Sequence, residues 1–86
     1  MGAFSREYLI DKARQIEHLS ERLARGDLAD VGTFGHRIKG TGASYGFPNV
    51  AELGSRLEAC ASSGHLHEAA SLLRELEEVV SRHLAE

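Results

Sequence analysis

The 86-residue chain has one cysteine, one proline, one methionine and no tryptophan, and only 6% of its residues are aromatic. The lone thiol, Cys60, excludes an internal disulfide framework and a multi-cysteine zinc site, and it fits a reducing compartment. No apolar run approaches the roughly 20 residues of a membrane span or the roughly 7 to 15 of a signal-peptide core, so a soluble, cytoplasmic protein is expected. A net charge of −3 supplies no broad basic field, which argues against nucleic acid as a partner. What is present is 42% hydrophobic and 27% charged residues, the composition of one small domain over residues 1–86. A chain of this size buries only about 60 to 65% of its unfolded surface, and it has no room for a separate ATP-binding kinase module.

Breakers at Gly26-Asp27, at Gly46-Phe47-Pro48-Asn49 and at Ser62-Ser63-Gly64 divide the chain into four stretches without strand-like alternation. Short turns between amphipathic segments predict an all-α, antiparallel up-down four-helix bundle. The first helix is expected from an N-cap at Ser5 to about Arg25, with Leu9, Ala13, Ile16, Leu19 and Leu23 inward; ahead of it, Met1 to Phe4 reads as a frayed end or with Phe4 folded back onto the bundle. The second runs from Asp27 to about Tyr45 on a seam of Leu28, Val31, Gly35, Ile38, Gly42 and Tyr45, with Phe34 beside it. The third starts at Pro48-Asn49 and buries Val50, Leu53, Leu57, Cys60 and Ala61. The fourth, from about His65 to Ala85, buries Leu66, Ala69, Leu73, Leu76, Val80 and Leu84 and turns Glu75, Glu77 and Glu78 to water.

The chemistry concentrates in the second helix. At about 100° per residue, Val31, Phe34, Gly35, Gly42 and Tyr45 fall within about 60° of Ile38, whereas His36 falls about 160° away and faces solvent. Gly32, Gly40 and Ala43 share its face and leave the imidazole without bulky neighbours, so another protein can approach closely. Each helical glycine costs about 1 kcal/mol relative to alanine, and so Gly32, Gly35, Gly40 and Gly42 call for a packing or access reason. An imidazole with the ordinary pKa of about 6.5 is largely neutral at pH 7 and is a competent nucleophile toward phosphorus. Lys39, three residues on, is positioned to offset charge on a phosphorylated ring.

The run His36-Arg37-Ile38-Lys39-Gly40-Thr41-Gly42-Ala43-Ser44-Tyr45-Gly46, followed by Leu53 and by Leu57-Glu58, resembles the signature of histidine-containing phosphotransfer (HPt) domains. The resemblance implies that His36 is the phospho-accepting histidine, Lys39 the supporting lysine and Gly40 the glycine that admits a docking receiver domain. It implies a carrier in a two-component phosphorelay, taking a phosphoryl group from an aspartyl phosphate on one receiver and passing it to an aspartate on another. The expected partners are receiver domains of response regulators or hybrid histidine kinases. Mg2+ and most catalytic groups then belong to the receiver, no cofactor is expected in this chain, and no autonomous kinase activity follows. Gly35 stands where the family often has alanine, and Gly42 adds a further glycine; a more flexible or distorted second helix is expected from them.

Partner contacts are expected at Gly32, Thr33, Arg37, Ala43 and Ser44, with Arg56 across the hairpin, while Phe34 and Tyr45 are expected in the core. Cys60 reads as a buried structural thiol. His65-x-His67 suggests a metal pair, but its rings point apart and no thiol or carboxylate partner is evident at helical spacing, so no metal site is expected. Two other functions remain open at this point: the dimerisation and phosphoacceptor domain of a histidine kinase, and a helical adaptor in which His36 is incidental. A monomer is expected, and whether the domain is free-standing or part of a longer sensor kinase is open.

Overall fold

The computed structural model describes residues 2–86, and four helices account for most of them: α1 (Ala3–Ala24), α2 (Ala29–Ser44), α3 (Pro48–Ser62) and α4 (Leu66–Ala85). They form the expected up-down bundle, in which α2 and α3 lie closest and α4 packs on both α1 and α3. The long dimension of 36 Å matches α1, whose 22 residues span about 33 Å at 1.5 Å each.

Three turns of one kind reverse the chain. Gly26, Gly46 and Gly64 each adopt φ between 74° and 89°, a left-handed conformation that glycine enters without steric cost. After each, an amide reaches back five residues: Asp27 to the Arg22 carbonyl, Phe47 to that of Gly42, and His65 to that of Cys60. With the glycine amide bonded three residues back, these are Schellman caps that satisfy the otherwise orphaned carbonyls. At the opposite ends, Asp27 Oδ1, one residue before the N-cap Leu28, accepts from the first helical amide of α2, that of Ala29, at 3.1 Å, and Pro48 occupies the first turn of α3, where a missing amide costs nothing.

The core contains the predicted Leu9, Ile16, Leu19, Leu23, Val31, Phe34, Ile38, Val50, Leu53, Leu57, Cys60, Ala69, Leu73, Leu76 and Val80, and adds Tyr8, Phe47, Leu72 and Val79. Among the described residues every buried side chain is apolar apart from the Tyr8 hydroxyl and Cys60 thiol, which both have partners.

Several expectations are corrected. Ser5 is not the cap of α1; the helix begins at Ala3, and the Ser5 hydroxyl is directed at the Tyr45 carbonyl. Phe4 lies on the first turn and does not fold back, remaining 81% exposed. Tyr45 is not core: as the residue after α2 it stacks on Tyr8 with ring centroids 4.3 Å apart, yet stays 40% exposed. Nor do Gly35 and Gly42 loosen α2, which is continuous to Ser44. A Cβ on Gly35 would stand 2.7 Å from the Gly54 carbonyl oxygen and 2.8 Å from the Glu58 amide nitrogen, and one on Gly42 would stand 2.8 Å from the Ala51 nitrogen. These glycines let the backbones of α2 and α3 touch.

Candidate functional site

That close approach builds the site. Gly54 is the reciprocal half of the contact, since a Cβ there would collide with Ile38 Cγ1 and meet the Lys39 nitrogen at 2.9 Å. One turn beyond Gly54, Glu58 therefore leans across the interface onto α2. Its Oε2 lies 2.7 Å from His36 Nδ1 and its Oε1 accepts from Lys39 Nζ at 2.9 Å, so each carboxylate oxygen has one partner.

The electrostatics follow from that pairing. The Lys39 hydrogen bond, and after it that from His36, holds the Glu58 carboxyl below the usual carboxylate range, so Glu58 is ionised at neutral pH. A carboxylate only accepts, hence the His36 nitrogen facing it is N–H, and in the neutral ring the lone pair falls on Nε2. The ring remains 67% exposed while anchored on one edge.

Around it the surface is open. A Cβ on Gly40 would meet nothing within 4 Å, and a groove of about 450 Å³ beside the ring is lined by residues that include Leu28, Gly32, Thr33, His36 and Glu58. Gly32 has a packing role as well, since a Cβ there would press on Ala61 Cβ at 3.2 Å. Ala43 and Ser44 are exposed further along α2, with the Ser44 hydroxyl turned to the Gly40 carbonyl.

Two predicted flanking residues lie elsewhere. Arg37 faces α1, lining clefts with Gln15, His18 and Arg22 on one side and with Tyr8 and Lys12 on the other. Arg56 does not cross the hairpin toward His36; it projects beside Ala59, Cys60, His65 and Glu68 near the α3–α4 turn. Thr41 serves the scaffold, giving its hydroxyl proton to the Arg37 carbonyl and pairing with the Tyr8 hydroxyl at 2.7 Å. The reading of the histidines also changes. His65 and His67 do line different clefts, but His65 has the carboxylate of Glu68 and the thiol of Cys60 beside it.

Glu58 is the residue of this candidate site that sequence reasoning quoted in the motif but left without a role. A carboxylate 22 positions from His36 becomes its neighbour only through the glycine contact between helices. The available signal was the recurrence of small residues Gly35 and Gly42 on one helix and Ala51 and Gly54 on the next.

Comparison with protein families gives a match to the Hpt domain over residues 4–86, essentially the whole chain. The chain belongs to the Hpt domain family. Comparison with curated proteins and with solved structures returned no significant match. Membership supports histidine phosphotransfer within a phosphorelay and implies interaction with receiver domains. The Hpt domain has among its described residues no helix long and apolar enough to cross a membrane.

Proposed function

We propose that this Hpt domain is a cytoplasmic, monomeric phosphoryl carrier in which His36 accepts a phosphoryl group from a receiver aspartyl phosphate and delivers it to another receiver aspartate. The observation that carries this reading is the anchored imidazole: Nδ1–H is held by Glu58 while Nε2 projects from a surface that Gly40 leaves bare. In transfer, the Nε2 lone pair attacks phosphorus, the bond from phosphorus to the aspartyl oxygen breaks, and that oxygen departs as carboxylate. The ring gains positive charge as the N–P bond forms, and the Glu58 carboxylate opposite Nδ1 stabilises it. Lys39, kept on the same face by Glu58, supplies a cation to the incoming phosphoryl oxygens.

The domain's contribution is alignment of a nucleophile, and Mg2+ with the remaining charge neutralisation is assigned to the receiver. The open groove along Gly32 and Thr33, continued by Ala43 and Ser44 on the exposed face, is the surface on which the receiver is expected to seat.

The test is transfer of labelled phosphoryl from a panel of phosphorylated receivers to the wild-type chain and to His36→Gln. Acid-labile, alkali-stable label on the wild type alone is the expected result. A folded wild-type chain that takes no label from any cognate receiver would overturn the assignment in favour of an adaptor.

A further inference from the structure

The α3–α4 turn gathers three different metal-ligating side chains away from the phosphotransfer face. Cys60, His65 and Glu68 bring one ligand atom each to within 4.8 Å of one another. They line a cleft of about 270 Å³ whose other walls are Arg56, Ala59 and Ser63. The backbone explains the meeting: the Schellman bond from the His65 amide to the Cys60 carbonyl closes the turn across these two residues, and Glu68 follows His65 by three positions on the first turn of α4.

We propose that this cluster is a Zn2+ site, with Cys60 Sγ, a ring nitrogen of His65 and a carboxylate oxygen of Glu68 as ligands and solvent in the fourth position. The geometry is close to what the ion demands. In a tetrahedral site with nitrogen and oxygen ligands at about 2.0 to 2.2 Å, those two atoms lie about 3.3 to 3.6 Å apart. His65 Nδ1 and Glu68 Oε2 are 3.4 Å apart, and the proton the ring turns to the carboxylate passes to Nε2 or to solvent when Nδ1 becomes a ligand. The Cys60 sulfur lies within 4.8 Å of both and has to move closer to join them.

The donor set also selects the metal. A thiolate with an imidazole and a carboxylate suits a borderline cation, whereas Mg2+ and Ca2+ take oxygen alone. Cys60 and Glu68 together neutralise a dication, and Arg56, the cation on the cleft wall, is long enough to swing toward solvent.

Binding is a proton exchange. The Cys60 thiol now points at the His65 carbonyl, and its burial, with Glu68 beside it, pushes its pKa up. Formation of the S–Zn bond expels that proton to solvent, while His65 donates a nitrogen lone pair and Glu68 an oxygen. The bound ion then ties the last turn of α3 to the first turn of α4.

The experiment is titration of the intact chain with Zn2+ against a chromogenic chelator, with Co2+ as a spectroscopic probe and proton release followed in weak buffer. One equivalent of ion, thiolate-to-cobalt charge transfer, visible bands of tetrahedral coordination and proton release on binding are expected. Glu68→Gln, on an exposed side chain, and Cys60→Ser, checked for fold by circular dichroism, should each weaken binding by more than about tenfold. His36→Gln should bind the ion as the wild type does. Equal affinity in wild type and Glu68→Gln, a cobalt spectrum without sulfur charge transfer, or loss of binding in His36→Gln would each overturn the site.

Discussion

Replacing Gly35 by alanine separates two opposing effects. Helix propensity alone favours the change by about 1 kcal/mol, because Gly35 is inside a regular helix. Packing opposes it. The new methyl would sit 2.7 and 2.8 Å from two backbone atoms of α3, where ordinary contact begins near 3.4 Å. Neither atom belongs to a side chain that can rotate away, so relief requires the helices to part by about half an ångström or more in a close-packed core. Overpacking of this kind costs about 1 to 3 kcal/mol, which leaves a net loss of up to about 2 kcal/mol after the propensity gain. For a domain of this length that is a fall of up to roughly 15 °C in Tm, against a rise for Gly40→Ala. The same parting stretches the His36–Glu58 bond, so the ring should lose its preference for the Nδ1–H tautomer. Thermal and urea denaturation measure the first effect, and nitrogen chemical shifts of the His36 ring measure the second. Gly40→Ala is the internal control: with nothing near its Cβ it should gain up to about 1 kcal/mol. A Gly35→Ala protein as stable as Gly40→Ala would refute the view that glycine contact sets the spacing of α2 and α3.

Other consequences are equally direct. Gly40→Trp should leave the fold and its melting intact but slow phosphotransfer from a receiver by more than about tenfold, since the reacting atoms must be held within a fraction of an ångström; an unchanged rate in a single-turnover assay would remove the access argument. Glu58→Gln should alter stability in a pH-dependent way. Because Glu58 in the folded state titrates below its ordinary value, the folded protein binds fewer protons than the unfolded chain there, and the stabilisation is present above about pH 4.3 and lost as pH falls through the folded value. The difference between wild type and variant in denaturant titrations should therefore shrink on acidification below about pH 4.3, and a difference that stays constant would refute the pairing. Tyr8→Phe removes the hydrogen bond to Thr41 and should cost about 0.5 to 1.5 kcal/mol in denaturation experiments, with a neutral result showing that water replaces it fully.

The bundle was legible in the sequence because its stripes are regular. Val31, Ile38, Leu57, Leu73 and Val80 recur at helical spacing, and all are buried. His36 was legible for the complementary reason, lying opposite Ile38 among glycines. Boundaries were less so: Ser5 is a good capping residue, yet Gly2 occupies the N-cap position and α1 runs through Ser5. Tyr45 fitted the periodic seam, but the helix ends just before it and its ring is left on the rim against Tyr8. Glu58 and the Cys60–His65–Glu68 cluster escaped for one shared reason. Each depends on how two helices meet, through a glycine contact in one case and a turn that brings Cys60 to His65 in the other; only the His65–Glu68 pair, three positions apart, was readable at helical spacing.

The three glycine-ended turns have a kinetic consequence. Each reversal is written into bonds spanning no more than five residues, and the α2–α3 and α3–α4 hairpins pack directly against themselves. Loop closures this short carry little entropy cost, and bundles built from them fold in microseconds to milliseconds. A local distortion of the bundle would be repaired on that timescale.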